Sequence, residues 1–325
     1  MATEETYDLV IVGGGPGGLT AGIYGKRAAL KTLLIEKGAP GGQVMLSGEV
    51  ENWPGTQKIS GHELSQSFLD HALSYGLELR ADTVESIEPG LDVHKVKLSD
   101  GSQVKAFAVI LGTGGSPRKL GIPGEDEYYG RGVSYCAVCD GFFFRGKTVV
   151  VVGGGDSACE EALYLAKLCN KVFLVHRRDA LRASMILQKR VMKEKNITIV
   201  WDTVLTAILA DDQGVDRVSM KSTKTGEESE LEAEGVFIFI GFEPNNELVP
   251  TGVGMDAGGF VITDAKCGTD IPGLYVIGDL KQKYAKQIVT AAGDGCTAAL
   301  AAAHYVETKK IDLESQGKSP ESCEL

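Results

Sequence analysis

The stretch YDLVIVGGGPGGLTAGIYGKRAALKTLLIE, residues 7–36, decides the fold. Tyr7 to Val12 is a short apolar run rich in β-branched residues. A glycine-rich turn follows from Gly13 to Gly18, then a helical stretch from Leu19 to Ala28. A second apolar run, Thr32 to Ile35, ends at Glu36. Strand, G-x-G-x-x-G, helix, strand and acid in that order form the dinucleotide-binding βαβ unit. Gly13, Gly15 and Gly18, with Pro16 among them, let the backbone approach a pyrophosphate resting on the helix N-terminus. Glu36 stands where it accepts from ribose hydroxyls. A glycine-rich turn alone is a weak signal; the complete order of elements makes this one specific.

The plan recurs downstream. Thr148 to Val152 is an apolar strand entering Gly153-Gly154-Gly155-Asp156-Ser157-Ala158, a G-x-G-x-x-A turn. A helix through Glu160 to Leu168 and a strand from Lys171 to Val175 follow. Gly153, Gly155, Asp156 and Ser157 take the phosphate-loop positions. His176 fills the slot that Glu36 fills in the first unit, and Arg177, Arg178 and Arg182 lie just beyond. Replacing the acid removes a repulsive neighbour of a 2′-phosphate, and arginines offer it bidentate donors. The second site is therefore expected to prefer NADP over NAD. A merely solvated basic cluster is the plainer reading, but the cluster sits where this fold places the ribose. Two fingerprints predict an α/β chain with two Rossmann-like nucleotide-binding units, each doubly wound and three-layered.

Between the loops lies Tyr135-Cys136-Ala137-Val138-Cys139-Asp140-Gly141-Phe142-Phe143. A C-x-x-C pair is half of a zinc site, a structural disulfide or a redox dithiol. Zinc wants four ligands, usually from a second close pair, and Cys159, Cys169, Cys267, Cys296 and Cys323 form none. A disulfide closing so short a loop stabilises little. The redox reading is favoured near βαβ units, and Asp140 offers a proton to a leaving thiolate. Together the three motifs read as a relay from a nicotinamide nucleotide through a second bound dinucleotide to the cysteine pair.

Composition sets the bounds. A chain of 325 residues has room for two domains, at ~150 residues each. A net charge of −11 argues against a nucleic-acid partner, which wants a basic face. Met1 to Thr6 is polar and acidic, so no signal peptide is expected. The Ala-rich run from Val289 to Val306 is interrupted by Asp294 and His304 and reads as a buried helix rather than a membrane span. The cysteines suit a reducing cytoplasm. His62 to Tyr75 reads as an amphipathic helix, Ala81 to Ser99 as hairpin strands, and Val204 to Glu234 as a polar β-meander. Pro117 to Gly124 and Glu243 to Asn246 read as linkers, and Asp312 to Leu325 as a loose tail. The Gly278-Asp279 pair closing the strand Gly273 to Ile277 places Asp279 to meet a polyol or phosphate.

On these residues the chain resembles the bacterial-type, low-molecular-weight thioredoxin reductases, from about Tyr7 to Val306. The most specific stretches are CAVCDGFF at 136–143, GGGDSA at 153–158, HRRDALRA at 176–183, ENWPG at 51–55 and GD at 278–279. The resemblance implies that the first loop holds FAD and the second NADPH. Electrons then pass from NADPH to FAD, to Cys136–Cys139, and on to the disulfide of thioredoxin. It implies a discontinuous FAD domain, 1–118 plus 248–325, with an inserted NADPH domain, 119–247, that carries the cysteines. Gly42, Gln43, Asn52, Val84, Thr113, Gly114, Asp279, Lys286, Gln287 and Ile288 join the FAD site. Cys139 faces the flavin, Cys136 attacks thioredoxin, and Asp140 is the general acid. Arg131, Phe142 and Phe143 meet the protein substrate, and the assembly is a homodimer without metal. The chain departs from the family at Lys286, where an arginine is usual; lysine keeps the charge without the planar fork. Related reductases serving a glutaredoxin-like or peroxiredoxin partner, and a flavoprotein redox sensor, are the alternatives. Because dithiol and second nucleotide share a unit yet both need the flavin, rotation of that unit about the two linkers is expected.

Overall fold

The structure, a computed structural model, describes residues 5–47, 49–212 and 214–317. The first part of the chain runs β1 (Thr6–Val12), α1 (Pro16–Arg27), β2 (Thr32–Glu36), β3 (Glu49–Val50), β4 (Ile59–Ser60), α2 (Gly61–Ser74), β5 (Glu78–Ala81), β6 (Val84–Glu88), β7 (His94–Leu98), β8 (Gln103–Leu111) and β9 (Gly115–Pro117). The middle holds β10 (Val133–Ser134), α3 (Ala137–Asp140), β11 (Thr148–Gly153), α4 (Asp156–Leu165), β12 (Lys171–Val175), α5 (Met185–Lys193) and β13 (Ile197–Val200). It continues with β14 (Thr203–Asp211), β15 (Gly214–Ser222), β16 (Glu228–Glu232), β17 (Gly235–Phe239) and β18 (Phe242–Pro244). The chain then returns through β19 (Leu274–Val276) and α6 (Ile288–Ser315).

Strands from both ends of the chain build one seven-stranded sheet in the order β5-β2-β1-β8-β7-β6, with β19 also on β8. β8 pairs with β1 along one edge, and its length lets the other edge serve two partners. Its first half pairs antiparallel with β7, His94 opposite Ala106, and its second half pairs parallel with β19, Leu274 opposite Val109. The central strands β1 and β8 are apolar almost throughout, as strands covered on both faces must be. On one face α1 and α6 pack over Leu9, Ile11, Ala108 and Ile110. The two helices cross closely because glycine faces glycine: a Cβ at Gly295 would lie 2.1 Å from the Gly17 carbonyl oxygen.

The middle of the chain forms a second, five-stranded parallel sheet, β10-β17-β11-β12-β13. α4 and α5 cover one face, with Ala158, Ala162, Leu165, Leu187 and Val191 buried. The antiparallel meander β14-β15-β16 contributes Leu205, Ile208, Val218 and Met220 to the other. The α/β class with two Rossmann-like sheets, the first mixed and the second all parallel, is therefore present.

Two expected loose segments are ordered. The chain leaves the first sheet and re-enters it through one antiparallel pair, β9 with β18, Pro117 opposite Phe242 and Pro244 opposite Gly115. The expected linkers are thus partly a two-stranded ribbon. The tail also differs: α6 continues to Ser315, because Leu313 is 1% exposed and joins the first core. A polar composition hid that one apolar anchor. Residues 318–325, including Cys323, lie outside the described residues.

Candidate active site

The first phosphate loop is set by backbone crowding. Gly13 has φ +105°, and a Cβ there would lie 2.4 Å from the Gly112 carbonyl oxygen. A Cβ at Gly18 would lie 1.9 Å from the Gly13 carbonyl oxygen. Gly15 differs: nothing stands within 4 Å of its would-be Cβ, so the loop presents bare backbone to open space. Pro16 is the first residue of α1, where a missing N–H costs nothing. Glu36 accepts from Gly14 N at 2.6 Å and from Gly38 N at 2.8 Å, which places its carboxylate beside the loop. Asp82 N donates to Glu36 O at 3.1 Å and brings the start of β6 to the same end, where Val84 is buried in the sheet core.

Other residues singled out from the sequence gather here. Gly41 N donates to Gly14 O at 2.8 Å, and Gly42 adopts φ +60° with its would-be Cβ 3.2 Å from Gly15 Cα. Gln43 follows, exposed. Asn52 Nδ2 donates to Gln287 Oε1 at 3.3 Å. Gln287 is the N-cap residue of α6 in a reciprocal pair with Thr290, and Ile288 opens the helix against Val44, Trp53 and Phe68. Since Gly17 packs on Ala291, the N-termini of α1 and α6 converge, and two positive helix ends favour an anion between them. Thr113 Oγ1 donates to Asn245 O at 2.6 Å, Asn245 Nδ2 donates to Thr113 O at 2.8 Å, and Asn245 N donates to Gly114 O at 3.0 Å. The second crossing strand thereby holds the loop after β8.

Asp279 lies in this convergence with its Oδ1 buried and without a hydrogen-bond partner among the described residues. Burial pushes its carboxyl up, while Lys283 and Lys286 draw it down. Lys286 Nζ sits 4.2 Å from the Phe260 ring centroid and 5.4 Å from that of Phe242. The two rings are near parallel, at 12°. Lysine in the usual arginine position is thus seated on aromatic faces, a contact of about 0.5–2 kcal/mol. Behind Asp279, a network unseen in the sequence holds the turn. Gly278 N and Lys283 Nζ donate to Asp294 Oδ2 at 3.1 and 2.7 Å, and Lys281 Nζ to Asp294 Oδ1 at 3.3 Å. Asp294 entered the sequence reading only as an interruption of an apolar run. The bare Gly15 backbone, paired helix ends, ribose-side acid and orphaned Asp279 oxygen fit a dinucleotide such as FAD.

The second phosphate loop repeats the logic. Gly153 has φ +153° and no room for a Cβ, while Gly155 faces open space. Asp156 and Ser157 start α4, exposed, and Asp156 Oδ1 accepts from Ser184 N at 2.6 Å. Arg182 N and Ala183 N donate to Gly154 O at 2.7 and 3.1 Å, so the arginine loop is folded back on the phosphate loop. Arg177, Arg178 and Arg182 are exposed beside it. His176 is 4% exposed and lies under Gly154, with Nε2 3.0 Å from Ala180 O. Burial holds its imidazole below the ordinary pKa, so it is a neutral packing group at the slot of the missing acid. These residues fit a nicotinamide dinucleotide with a 2′-phosphate.

Cys136 and Cys139 are joined as a disulfide, with Cα atoms 5.3 Å apart. The two sulfurs are each other's partners, which sets aside the zinc half-site. Cys136 caps α3, and the short helix lies against β3 of the small β3–β4 ribbon. Asp140 Oδ2 accepts from Ser134 Oγ at 2.5 Å, and Cys136 N donates to Ser134 Oγ at 3.0 Å. Burial pushes the Asp140 carboxyl up, and the Ser134 hydrogen bond partly opposes this. A carboxyl so placed holds its proton to higher pH than a solvated one, as a proton donor to a thiolate should. Ser134 is the link the sequence did not announce. Phe142 is 53% exposed, and Arg131 is exposed with Nη2 donating to Glu127 O at 2.7 Å. Phe143 is half-buried, with Lys58 Nζ 5.7 Å from its ring centroid. Burial pushes the Cys159 and Cys169 thiols up to about 11, which leaves them inert beside the pair. Among the described residues no cluster suits a metal ion, and no helix is long and apolar enough to cross a membrane.

The family model for pyridine nucleotide-disulphide oxidoreductases matches residues 7–295. The chain is 44% identical over 315 residues to a thioredoxin reductase of Bacillus subtilis (strain 168), covering 97% of this chain and 99% of that one. It superposes on the crystal structure of thioredoxin reductase from Streptococcus pyogenes with a TM-score of 0.91 at 43% identity, covering 94% of this chain and 99% of the other. For Lactococcus lactis thioredoxin reductase in its FR conformation the TM-score is 0.63 at 46% identity, over 93% of this chain and 99% of the other. The chain belongs to the pyridine nucleotide-disulphide oxidoreductase family.

Proposed function

We propose that the protein is an NADPH-dependent thioredoxin-disulfide reductase. The observation that carries this is the Cys136–Cys139 disulfide, set over the Ser134–Asp140 pair and in the same parallel sheet unit as the second phosphate loop. The near full-length likeness to thioredoxin reductases supplies the acceptor. In this reading Gly13, Gly15, Pro16, Gly18, Glu36, Gly42, Gln43, Asn52, Val84, Thr113, Gly114, Asp279, Lys286, Gln287 and Ile288 hold FAD. Gly153, Gly155, Asp156, Ser157, His176, Arg177, Arg178 and Arg182 hold NADPH. Bound FAD supplies a two-electron carrier between NADPH and the cysteine pair.

The chain's own residues do the rest. The converging α1 and α6 N-termini bind pyrophosphate without a counterion. Asp279 orients the chain between phosphate and ring. Arg177, Arg178 and Arg182 select the 2′-phosphate. Once the pair is reduced, the Cys136 thiolate attacks a sulfur of the substrate disulfide, and that S–S bond breaks as the mixed disulfide forms. Cys139 then attacks Cys136 and restores the internal disulfide. Asp140 gives its proton to the departing substrate thiolate. Exposed Phe142 and Arg131 offer the protein substrate a contact beside the sulfurs. The boundaries 118/119 and 247/248 fall next to the β9–β18 ribbon, which suits an inserted NADPH domain. A homodimer in the cytoplasm completes the proposal.

The test is NADPH consumption with oxidised thioredoxin as acceptor. Turnover in the wild type and none in Cys136→Ser or Cys139→Ser is expected. Equal turnover in both variants overturns the reading, and so does a wild type active only with a glutaredoxin-like or peroxiredoxin acceptor.

A further inference from the structure

One buried carboxylate beside the dithiol has no part in the chemistry above. Glu161 lies on α4, and its Oε2 is fully buried without a hydrogen-bond partner among the described residues. The face it shares is defined by its neighbours. A Cβ at Gly141, just after the dithiol helix, would meet Leu165 Cδ2 at 3.0 Å, Tyr164 Cε1 at 3.3 Å and Leu168 Cδ1 at 3.5 Å. Residues 161, 164 and 165 share one face of α4, with Leu168 in the turn just beyond it, so Glu161 belongs to the α4 face packed on α3. The backbone N–H of Ala137, the first residue between the two cysteines, is near enough to draw this carboxyl's pKa down.

An acid on an otherwise apolar packing face is costly unless it is used. The other elements around α4 offer it little. β11 and β17 read TVVVVG and GVFIF, and Lys171 of β12 is only half-buried. Lys189, Arg190 and Lys193 of α5 are exposed. α3 brings Cys136, Cys139 and Asp140. On α4 itself, Glu160 stands one position earlier, exposed. Burial, helped by the Glu160 charge, holds the Glu161 carboxyl above the ordinary range, and the Ala137 N–H draws it back.

We propose that Glu161 is a positioning residue for the dithiol: its carboxylate holds the Ala137 N–H, fixes the turn between the two cysteines, and sets how readily Cys136 ionises once the pair is reduced. A negative charge on the face packed against the dithiol helix disfavours the thiolate. The reduced pair is then protected from ionising until substrate and the Asp140 proton are in place. The proposal rests on Cys136 being the exchanging thiol, and its test does not need turnover.

The full-length protein, reduced with dithiothreitol, is alkylated with iodoacetamide across pH, and the Cys136 peptide is followed by mass spectrometry. Glu161→Gln keeps shape and removes charge. Its alkylation midpoint is expected to fall by about one pH unit, which is a roughly tenfold faster rate below the midpoint. Glu161→Asp, charged but shorter, is expected to lie between, and Glu160→Gln close to wild type. A Glu161→Gln profile that superimposes on wild type overturns the proposal, as does an equal shift in Glu160→Gln. Should Glu161→Gln fail to fold, a wild-type midpoint in folded Glu161→Asp overturns it. Failure of wild type to reduce thioredoxin would instead sink the proposed function and leave this profile readable.

Discussion

In the proposed mechanism Asp140 gives the proton for thiol exchange, and two opposing effects leave its carboxyl pKa above the ordinary value. Burial favours the neutral acid, and Ser134 Oγ at 2.5 Å moderates but does not cancel this. The sign for activity follows. With a raised pKa, the donor is present at low pH and lost as pH rises through that value, so kcat falls on the alkaline side. Asp140→Asn is expected to lower kcat about a hundredfold and flatten that limb, read from pH profiles of thioredoxin reduction. At the proposed NADPH site the arginines would act by charge, while His176, buried with its pKa held down, would not. Replacing Arg177, Arg178 or Arg182 by Gln is expected to lower kcat/KM for NADPH about tenfold each. NADH should be unaffected, and equal losses with both nucleotides would contradict the assignment. These residues were legible because motif spacing fixes them. Asn245 was not, since its partner Thr113 lies far away in sequence, and Ser134, Asp294 and Glu161 were not, since no motif marks them.

At the scale of elements, the glycines fix how close helices come to the first site. Gly17 and Gly295 let α1 and α6 cross at backbone distance, which no apolar pattern announces but which brings both N-termini to one point. The strands were readable because apolar runs such as FAVIL at 107–111 are buried on both faces. The helix expected over the Ala-rich run from Val289 is α6, capped by Gln287, but its end lies beyond the expected one. Asp312 to Ser315 looked like a loose tail, yet Leu313 is 1% exposed in the core under α1. Leu313→Ala is expected to cost about 2–4 kcal/mol, measured by urea unfolding. A change near zero would return the last turn of α6 to the loose tail that composition suggested. The linkers were misjudged for a related reason. Pro, Gly and charge mark a break in apolar pattern, but β9 and β18 find each other only in three dimensions.

At the scale of the molecule, the sequence already posed the difficulty that dithiol and second nucleotide occupy one unit but serve one flavin. Here α3 lies against β3 and Phe143 meets Lys58. The superposition scores of 0.91 and 0.63, at 43% and 46% identity and near-equal coverage, differ far more than sequence divergence explains. Rigid displacement of one sheet unit against the other would produce such a drop, and the β9–β18 ribbon is where it would turn. Joining Lys58→Cys to Phe143→Cys with a thiol crosslinker, applied to the oxidised enzyme, is expected to abolish thioredoxin turnover while electron exchange between flavin and dithiol survives. Undiminished turnover would mean that one arrangement serves every step. The relay itself is tested most directly by the visible spectrum of the purified protein, titrated anaerobically with NADPH, with and without Cys136→Ser. The account predicts a flavin spectrum bleached by NADPH, with a long-wavelength band in the variant that marks Cys139 against the flavin. A protein without flavin, or one bleached identically in both forms without that band, would contradict it.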